Sequence, residues 1–292
     1  SIIETQRSRA RQELISSPLL SIAIAVDGAR RYVVLSIAHA LYDGWSINLL
    51  HEDIARSYAG AECSRPPVDG ILEQIISSSG QEALRFWRAT LSNFAPVSFA
   101  SMEHADNAST VVHRAEQSLS VPLSKAEAFC KRHSITLQAL LVSCWSLVLA
   151  THVKKLDVGF GLVLSGRNVA DSEHVMFPTM NTVAMRVILH GTRVELVKYV
   201  QEALLAMSEH QHFPLRRARP DTGSRALFDT LFMYQKRPVE NIQAQPGQAL
   251  YRSIGGTADV EYPVCAEVEG VGEDLVGRVA CRGNVVGDQD TL

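Results

Sequence analysis

The alternation of apolar and polar positions predicts a hairpin followed by helices in the first third of the chain. Two apolar runs, at 19–26 and 32–38, flank Asp27-Gly28, and an Asp-Gly pair between two such runs is typical of a β-hairpin. The second run predicts a buried strand, because it is apolar along its whole length. Periodic apolar positions then predict helices at 46–58, with Ser46 as the cap, at 71–76 and at 83–91.

The second half repeats this mixture after an irregular stretch at 92–110, whose small and polar residues suit a linker between two lobes. We place a domain boundary near Ala105, which gives one lobe at 1–105 and another at 106–292. Residues 136–151 form a helical segment that is apolar throughout, so we expect it to be buried on all sides. Strands are predicted at 111–119, 157–164, 181–189, 227–234, 262–268 and 275–281, with helices at 2–14, 125–133 and 194–211. Strands and helices mix without strict alternation, which indicates an α+β or α/β class.

Composition excludes several classes of function. Hydrophobic residues make up 46% and charged residues 20% of 292 residues, and the formal charge is −3, so no bulk charge recruits nucleic acid or an anionic membrane. We expect no membrane span, since no apolar run approaches the roughly 20 residues that one requires. The five cysteines form no C-x-x-C pair and show no metal-ligand spacing, so we expect free thiols, no metal and a cytoplasmic location.

The turn at 39–46 carries the side chains that we select for chemistry. His39 follows the end of the second strand, and Asp43-Gly44 comes after three intervening residues. Loops that follow strands commonly display reactive side chains. An imidazole with a pKa of about 6.5 is mostly neutral at pH 7, so it can orient a nucleophile or accept its proton. This pattern predicts an acyl-transfer site, although a packed histidine beside an ordinary Asp-Gly turn fits the same residues.

Four stretches of the chain resemble, in the right order, the core motifs of condensation domains from nonribosomal peptide synthetases. They are AHALYDGWS at 38–46, VMFPTMNTVAMRV at 175–187, HQHFPL at 210–215 and SRALFDTLFMY at 224–234. The first corresponds to the HHxxxDGWS motif of that family. The residues of the first two stretches are most similar to those of fungal synthetases, and we expect a synthetase of the hydroxamate-siderophore type.

The resemblance implies an α+β fold of two chloramphenicol-acetyltransferase-like lobes with a site in a tunnel between them. Here we expect a truncated N-terminal lobe and a C-terminal lobe that lacks its last segment. It implies an enzyme that forms an amide between an upstream acyl thioester and a downstream amino acid. Both substrates would arrive on the phosphopantetheine arms of carrier domains, with an adenylation domain adjacent and no cofactor bound by this domain itself.

The resemblance also implies roles for individual residues. His39 corresponds to the critical histidine, which orients the attacking amine or acts as its base. Asp43 would hold the loop, and Gly44 would allow close approach of another chain. The remaining assignments are Trp45, Ser165 and Asn181 as substrate-facing residues, and Arg167 and Arg186 as structural residues near the site.

Two departures from the family pattern bear on the site. Ala38 stands where the family usually has a first histidine, a position that tolerates more variation than the second. The arginine expected to pair with Asp43 would lie upstream of Ser1. Alternatives are an acyl-CoA-dependent acyltransferase, although the DFGWG stretch of that class is lacking, an epimerization domain, whose glutamate motif we do not find, and a catalytically silent scaffold that docks carrier domains.

Overall fold

The computed structural model describes residues 5, 18–78, 80–95, 112–168, 171–218, 227–236, 243–245, 248–249 and 262–282. The predicted helix at 2–14, apart from Thr5, and the boundary near Ala105 lie outside these residues. The elements in chain order are β1 Leu20–Asp27, β2 Arg30–Ile37, α1 Ser46–Tyr58, α2 Asp69–Ser78, α3 Gln81–Thr90, β3 Val112–Ser118, α4 Leu123–His133, α5 Leu137–Val153, β4 Asp157–Leu164, β5 Asn181–Ile188, α6 Arg193–Glu209, β6 Thr230–Lys236, β7 Gln243–Gln245, β8 Gln248–Ala249, β9 Val264–Val271 and β10 Asp274–Arg282. The mixture of strands and helices confirms the predicted class.

The hairpin of β1 and β2 forms as predicted, but its strands are not buried. The strands pair antiparallel, and Gly28 takes the left-handed conformation (φ +58°) that the tight turn requires. One face of the hairpin carries large aliphatic side chains that are mostly exposed, among them Ile24 at 69% and Val33 at 70%. The expectation of a buried strand is therefore wrong, because the described residues leave this face of a two-stranded sheet uncovered.

A six-stranded mixed sheet organises the second half, in the order β3-β10-β9-β6-β4-β5. The pairs β4–β6 and β6–β9 are parallel, and the other neighbours are antiparallel. Helices α5 and α6 pack together, and α5 also packs on β4 and β6. Their apolar side chains share one core with the central strands, centred on fully buried residues such as Phe160, Val183 and Val200. The ends of β4 and β5 in this sheet carry the loops whose side chains are described below.

Helix α5 departs from its prediction. Thr136 caps its start, with the side-chain oxygen accepting a hydrogen bond from the Ala139 amide at 3.1 Å. The expectation that it is buried on all sides is wrong, since Leu147 is 38% and Val148 is 52% exposed and Cys144 is also exposed. The reason is that α5 covers only one face of the sheet, so its outer side faces away from the core.

Helix α3, although it precedes the linker, packs with the second half. Trp87 is fully buried in the core shared by α5, α6 and the sheet, and its Nε1 donates a hydrogen bond to the His210 carbonyl at 2.9 Å. Arg186 on β5 donates to the carbonyl oxygens of Thr90 and Ser92 at 3.2 and 2.8 Å, and it binds the Asp157 carboxylate. The chain on both sides of the linker therefore contributes to one core.

No single helix in the described part of the chain is both long and apolar enough to cross a membrane; α4 and α5 meet that criterion only as a pair bent by 102°. Among the same residues, no group of three or more His, Cys, Asp or Glu side chains could hold a metal ion.

Candidate functional site

His39 lies on a short turn that directly follows β2. The turn, His39–Leu41, is a single turn of 3-10 helix, and the amide of Ala38 ties its start to the carbonyl of Leu19 at 2.7 Å. The imidazole is exposed, and its ring lies 5.0 Å from that of Tyr42. Among the described residues it makes no hydrogen bond, so both ring nitrogens are available to a substrate.

Asp43, four residues later, is buried and accepts several hydrogen bonds. Its Oδ1 accepts from the amides of Trp45 and Ser46 at 3.0 and 2.6 Å, and its Oδ2 accepts from those of Thr179 and Met180 at 2.8 and 3.1 Å. The Ser46 hydroxyl in turn accepts from the Asp43 amide at 2.8 Å. The predicted cap is therefore corrected: Asp43 caps the start of α1, and Ser46 completes a reciprocal pair with it.

Arg167 binds Asp43 from the loop after β4. Its Nη2 lies 3.3 Å from the Asp43 Oδ1, and both side chains are only 4% exposed. The same guanidinium donates to the carbonyl oxygens of Ser172, Val175 and Phe177. The expectation that the arginine partner of Asp43 lies upstream of Ser1 is thus wrong, because the second half of the chain supplies one. Sequence distance concealed this pair, since 124 positions separate the two residues.

These contacts decide the charge of the Asp43 carboxylate. Burial by itself raises the pKa of Asp43, but the amides of Ser46, Thr179 and Met180, together with Arg167, outweigh burial and bring the pKa below its usual value. The carboxylate therefore stays ionised at neutral pH. Since both oxygens are already engaged, Asp43 acts as a brace between the two halves rather than as an acid or a base.

The two residues after Asp43 also face the second half. The Trp45 indole donates from Nε1 to the Glu173 carbonyl at 2.9 Å, and the Arg167 guanidinium lies 5.6 Å from the centre of its ring. Trp45 remains 45% exposed. A Cβ added to Gly44 would lie 3.5 Å from the Met180 Cε, an ordinary contact, so this structure does not require glycine at position 44.

Ser165 and Gly166 form a turn that rests against Thr179. Ser165 is exposed, and its carbonyl accepts a hydrogen bond from the Thr179 hydroxyl at 2.8 Å. Gly166 has a φ of +70°, and a Cβ there would overlap the carbonyl oxygen of Thr179. Glycine is therefore required at this position for both conformational and steric reasons. Because Thr179 also binds Asp43, the turn is connected to the brace.

The amide of Asn181, at the start of β5, is engaged within the protein. Its Nδ2 donates to the Gln211 carbonyl at 2.5 Å, and its Oδ1 accepts from the Thr182 amide at 2.9 Å. Asn181 follows Thr179 by two positions in the chain, but its side chain points toward Gln211 at the end of α6.

Two residues of this network, Thr179 and Gln211, were not selected from the sequence. Both lie inside stretches that resemble family motifs, FPTMN and HQHFPL. Their position inside these stretches is the only sequence signal for them. Neither periodicity nor charge distinguishes a threonine or a glutamine from surface residues.

The comparisons with known proteins agree with this geometry. The family model described as condensation domain matches residues 2–263. The chain belongs to the condensation domain family. Among curated relatives of this condensation domain, a nonribosomal peptide synthetase sidC of Arthroderma benhamiae is 44% identical over the whole chain, and a nonribosomal peptide synthetase 2 of Cochliobolus heterostrophus is 41% identical. The chain spans only 6% and 5% of the length of these two relatives.

Solved structures confirm the fold of this condensation domain. A four-domain nonribosomal peptide synthetase, holo-AB3403 bound to AMP and glycine, matches 99% of the chain with a TM-score of 0.76 at 17% identity, over 25% of its own length. The first condensation domain of the calcium-dependent antibiotic synthetase, in complex with a substrate analogue, matches 98% of the chain and 68% of its own length with a TM-score of 0.66 at 17% identity. The fold expected from the motifs is therefore confirmed.

Proposed function

We propose that this condensation domain forms an amide between an upstream carrier-bound acyl thioester and the amine of a downstream carrier-bound amino acid. The amine nitrogen attacks the thioester carbonyl, the C–N bond forms and the C–S bond breaks. The amine loses one proton, and the upstream arm leaves as its thiol. The observation that carries this proposal is the exposed, unbonded imidazole of His39 on a turn that is held in place from the other half of the chain.

His39 can assist this step in either of two ways. Its neutral imidazole can accept the proton that the amine loses, or it can orient the amine toward the carbonyl through a hydrogen bond. Both roles require an imidazole that is not already bonded within the protein, and the described contacts of His39 meet that condition.

The surrounding residues divide into positioning residues and substrate-facing residues. Asp43 and Arg167 hold the turn against the second half, and Arg186 anchors α3 to the sheet. The exposed Trp45 indole and the exposed Ser165 are free to face the substrates. We assign Asn181 to positioning, since both ends of its amide are engaged.

The partners follow from the same proposal. Two carrier domains would present the substrates on phosphopantetheine, and an adenylation domain would load the amino acid. The sidC and similar relatives are fungal peptide synthetases, which supports a fungal secondary-metabolite enzyme and, as the finer proposal, a hydroxamate-siderophore synthetase. All five cysteines are free thiols, which suits the cytoplasm.

The test is His39→Ala in the intact synthetase with both carrier domains loaded. We expect transfer to fall by about 10²–10⁴-fold, the usual contribution of a positioned acid or base, while loading of the carriers is unchanged. His113→Ala, which removes an exposed histidine from β3, is the matched control and should keep the normal rate. A normal rate with His39→Ala would show that the catalytic assignment of His39 is wrong. Efficient transfer from free acyl-CoA would favour the acyltransferase.

A further inference from the structure

Gln211, a buried residue just after α6, connects three parts of the site. The residue is 3% exposed. Its Oε1 accepts a hydrogen bond from the Gly166 amide at 3.0 Å, and its Nε2 donates to the Ser208 carbonyl at 2.8 Å. Its own carbonyl accepts from the Asn181 side chain at 2.5 Å. One glutamine thus joins the turn after β4, the start of β5 and the end of α6.

The turn that Gln211 binds has little freedom of its own. The His212 Nε2 donates to the Gly166 carbonyl at 3.2 Å, so both polar groups of the Gly166 backbone are held from the segment after α6. On the other side, Thr179 binds the Ser165 carbonyl through its hydroxyl and Asp43 through its amide. The turn at 165–166 therefore lies between two sets of hydrogen bonds, one leading to Gln211 and one leading to the His39 turn.

We propose that Gln211 is a positioning residue for acyl transfer, whose side chain fixes the Ser165–Gly166 turn relative to the braced turn that carries His39, while its backbone carbonyl holds Asn181. This inference rests on the proposed function. A glutamine suits the role because its side chain accepts one hydrogen bond and donates another in a fixed plane. Gln211 is buried, and its hydrogen bonds go to Gly166, Ser208 and Asn181, so its effect on the reaction is exerted through the turn and not through the substrate.

The chemistry of the side chain separates three variants. Gln211→Met keeps similar length but offers Gly166 only a weak sulfur acceptor and has no donor for Ser208. Gln211→Glu keeps an acceptor for the Gly166 amide, but its carboxylate lacks the donor to Ser208 and places a buried charge beside that carbonyl, so it should restore at most part of the arrangement. Val200→Ala, which shortens a fully buried side chain on α6, lowers stability without touching this network and is the control for a purely structural effect.

The experiment measures single-turnover transfer in the intact synthetase with both carriers loaded, at saturating and limiting downstream substrate, together with the thermal midpoint of each variant. We expect Gln211→Met to lower the saturated rate by about 100-fold, as misplacement by about 1 Å can do, with little change in apparent KM. We expect Gln211→Glu to lie between Gln211→Met and the wild type, and Val200→Ala to keep the wild-type rate despite a lower midpoint.

Two results would overturn the inference. One is a rate for Gln211→Met equal to that of the wild type; the other is a loss that Val200→Ala reproduces at the same thermal midpoint. If Gln211→Met does not fold, Gln211→Glu decides, since a folded Gln211→Glu with normal transfer at both substrate levels and at every pH from about 7 to 9 also contradicts it, because an ionised carboxylate cannot donate to Ser208. His39→Ala is measured in parallel. Normal transfer there refutes the role proposed for His39, whereas loss there with normal Gln211 variants refutes only the positioning role of Gln211.

Discussion

His39 and Asp43 are four residues apart and have opposite environments. The Asp43 carboxylate is almost fully buried and accepts hydrogen bonds from four backbone amides and from Arg167. The His39 imidazole is exposed, makes no hydrogen bond within the described residues, and lies 5.0 Å from the ring of Tyr42. The difference shows that one side chain holds the turn while the other remains available for chemistry. We therefore expect substitutions of Asp43 to lower stability and substitutions of His39 to lower the rate of transfer.

The largest effect on stability is expected for Asp43→Ala. The substitution leaves the buried Arg167 charge and the four amides without their acceptor, which should cost about 3–5 kcal/mol of unfolding free energy. Urea unfolding measures it. His39→Ala is the control from the same turn and should change stability by less than about 0.5 kcal/mol, because His39 is exposed. Similar losses for the two variants would contradict the division of roles.

The next largest loss of stability is expected at Gly166, and Gly44 serves as its control. Gly166→Ala should destabilise the protein by about 2–4 kcal/mol, because its backbone is left-handed and the new methyl group would overlap Thr179. Gly44→Ala, beside Asp43, meets only an ordinary contact with Met180 and should cost less than about 1 kcal/mol. Thermal unfolding of the pair checks this. A larger loss at Gly44 would show that the turn near His39 needs glycine after all.

These contrasts explain how much could be predicted from the sequence. Local patterns identified the hairpin, the helices from α1 to α6 and most of the sheet, because apolar periodicity and turn residues are local properties. Burial was predicted less well. The apolar runs of β2 and α5 indicated full burial, but Val33 on β2 and Leu147 and Val148 on α5 are exposed.

In the site, too, local features could be predicted from the sequence, but contacts between distant segments could not. The His39 turn is contained in a few consecutive residues, so its motif was visible. The Arg167 partner of Asp43 and the role of Gln211 depend on which loops meet in space, and no local pattern encodes that meeting. The family resemblance led us to expect an arginine beside Asp43, but its location in the second half of the chain required the structure.

A smaller effect is expected for Arg167→Lys. Lysine keeps the charge next to Asp43 but cannot donate at once to the carboxylate and to the carbonyl oxygens of Val175 and Phe177. We expect a loss of about 1–3 kcal/mol in urea unfolding, below that of Asp43→Ala. Arg65→Lys, at a partly exposed ion pair with Asp53, is the control and should lose less. Equal losses at the two arginines would show that the brace is no stronger than a pair near the surface.

The smallest effect is a pH dependence that belongs to Asp43 alone. Its pKa in the folded protein is lower than the value of about 3.9 expected in the unfolded chain. Its contribution to stability is therefore fully present above the unfolded pKa and is lost as pH falls through the folded pKa. Asp43→Asn has no such titration, so the stability difference between the wild type and Asp43→Asn should shrink as pH falls from about 5 toward 3. Urea unfolding at several pH values measures this difference, from which the other carboxylates cancel. His39→Ala should follow the wild type throughout this range, because the exposed His39 side chain makes no hydrogen bond or ion pair with the described residues and leaves Asp43 intact. A difference that stays constant with pH would mean that Asp43 is held by shape and not by its charge.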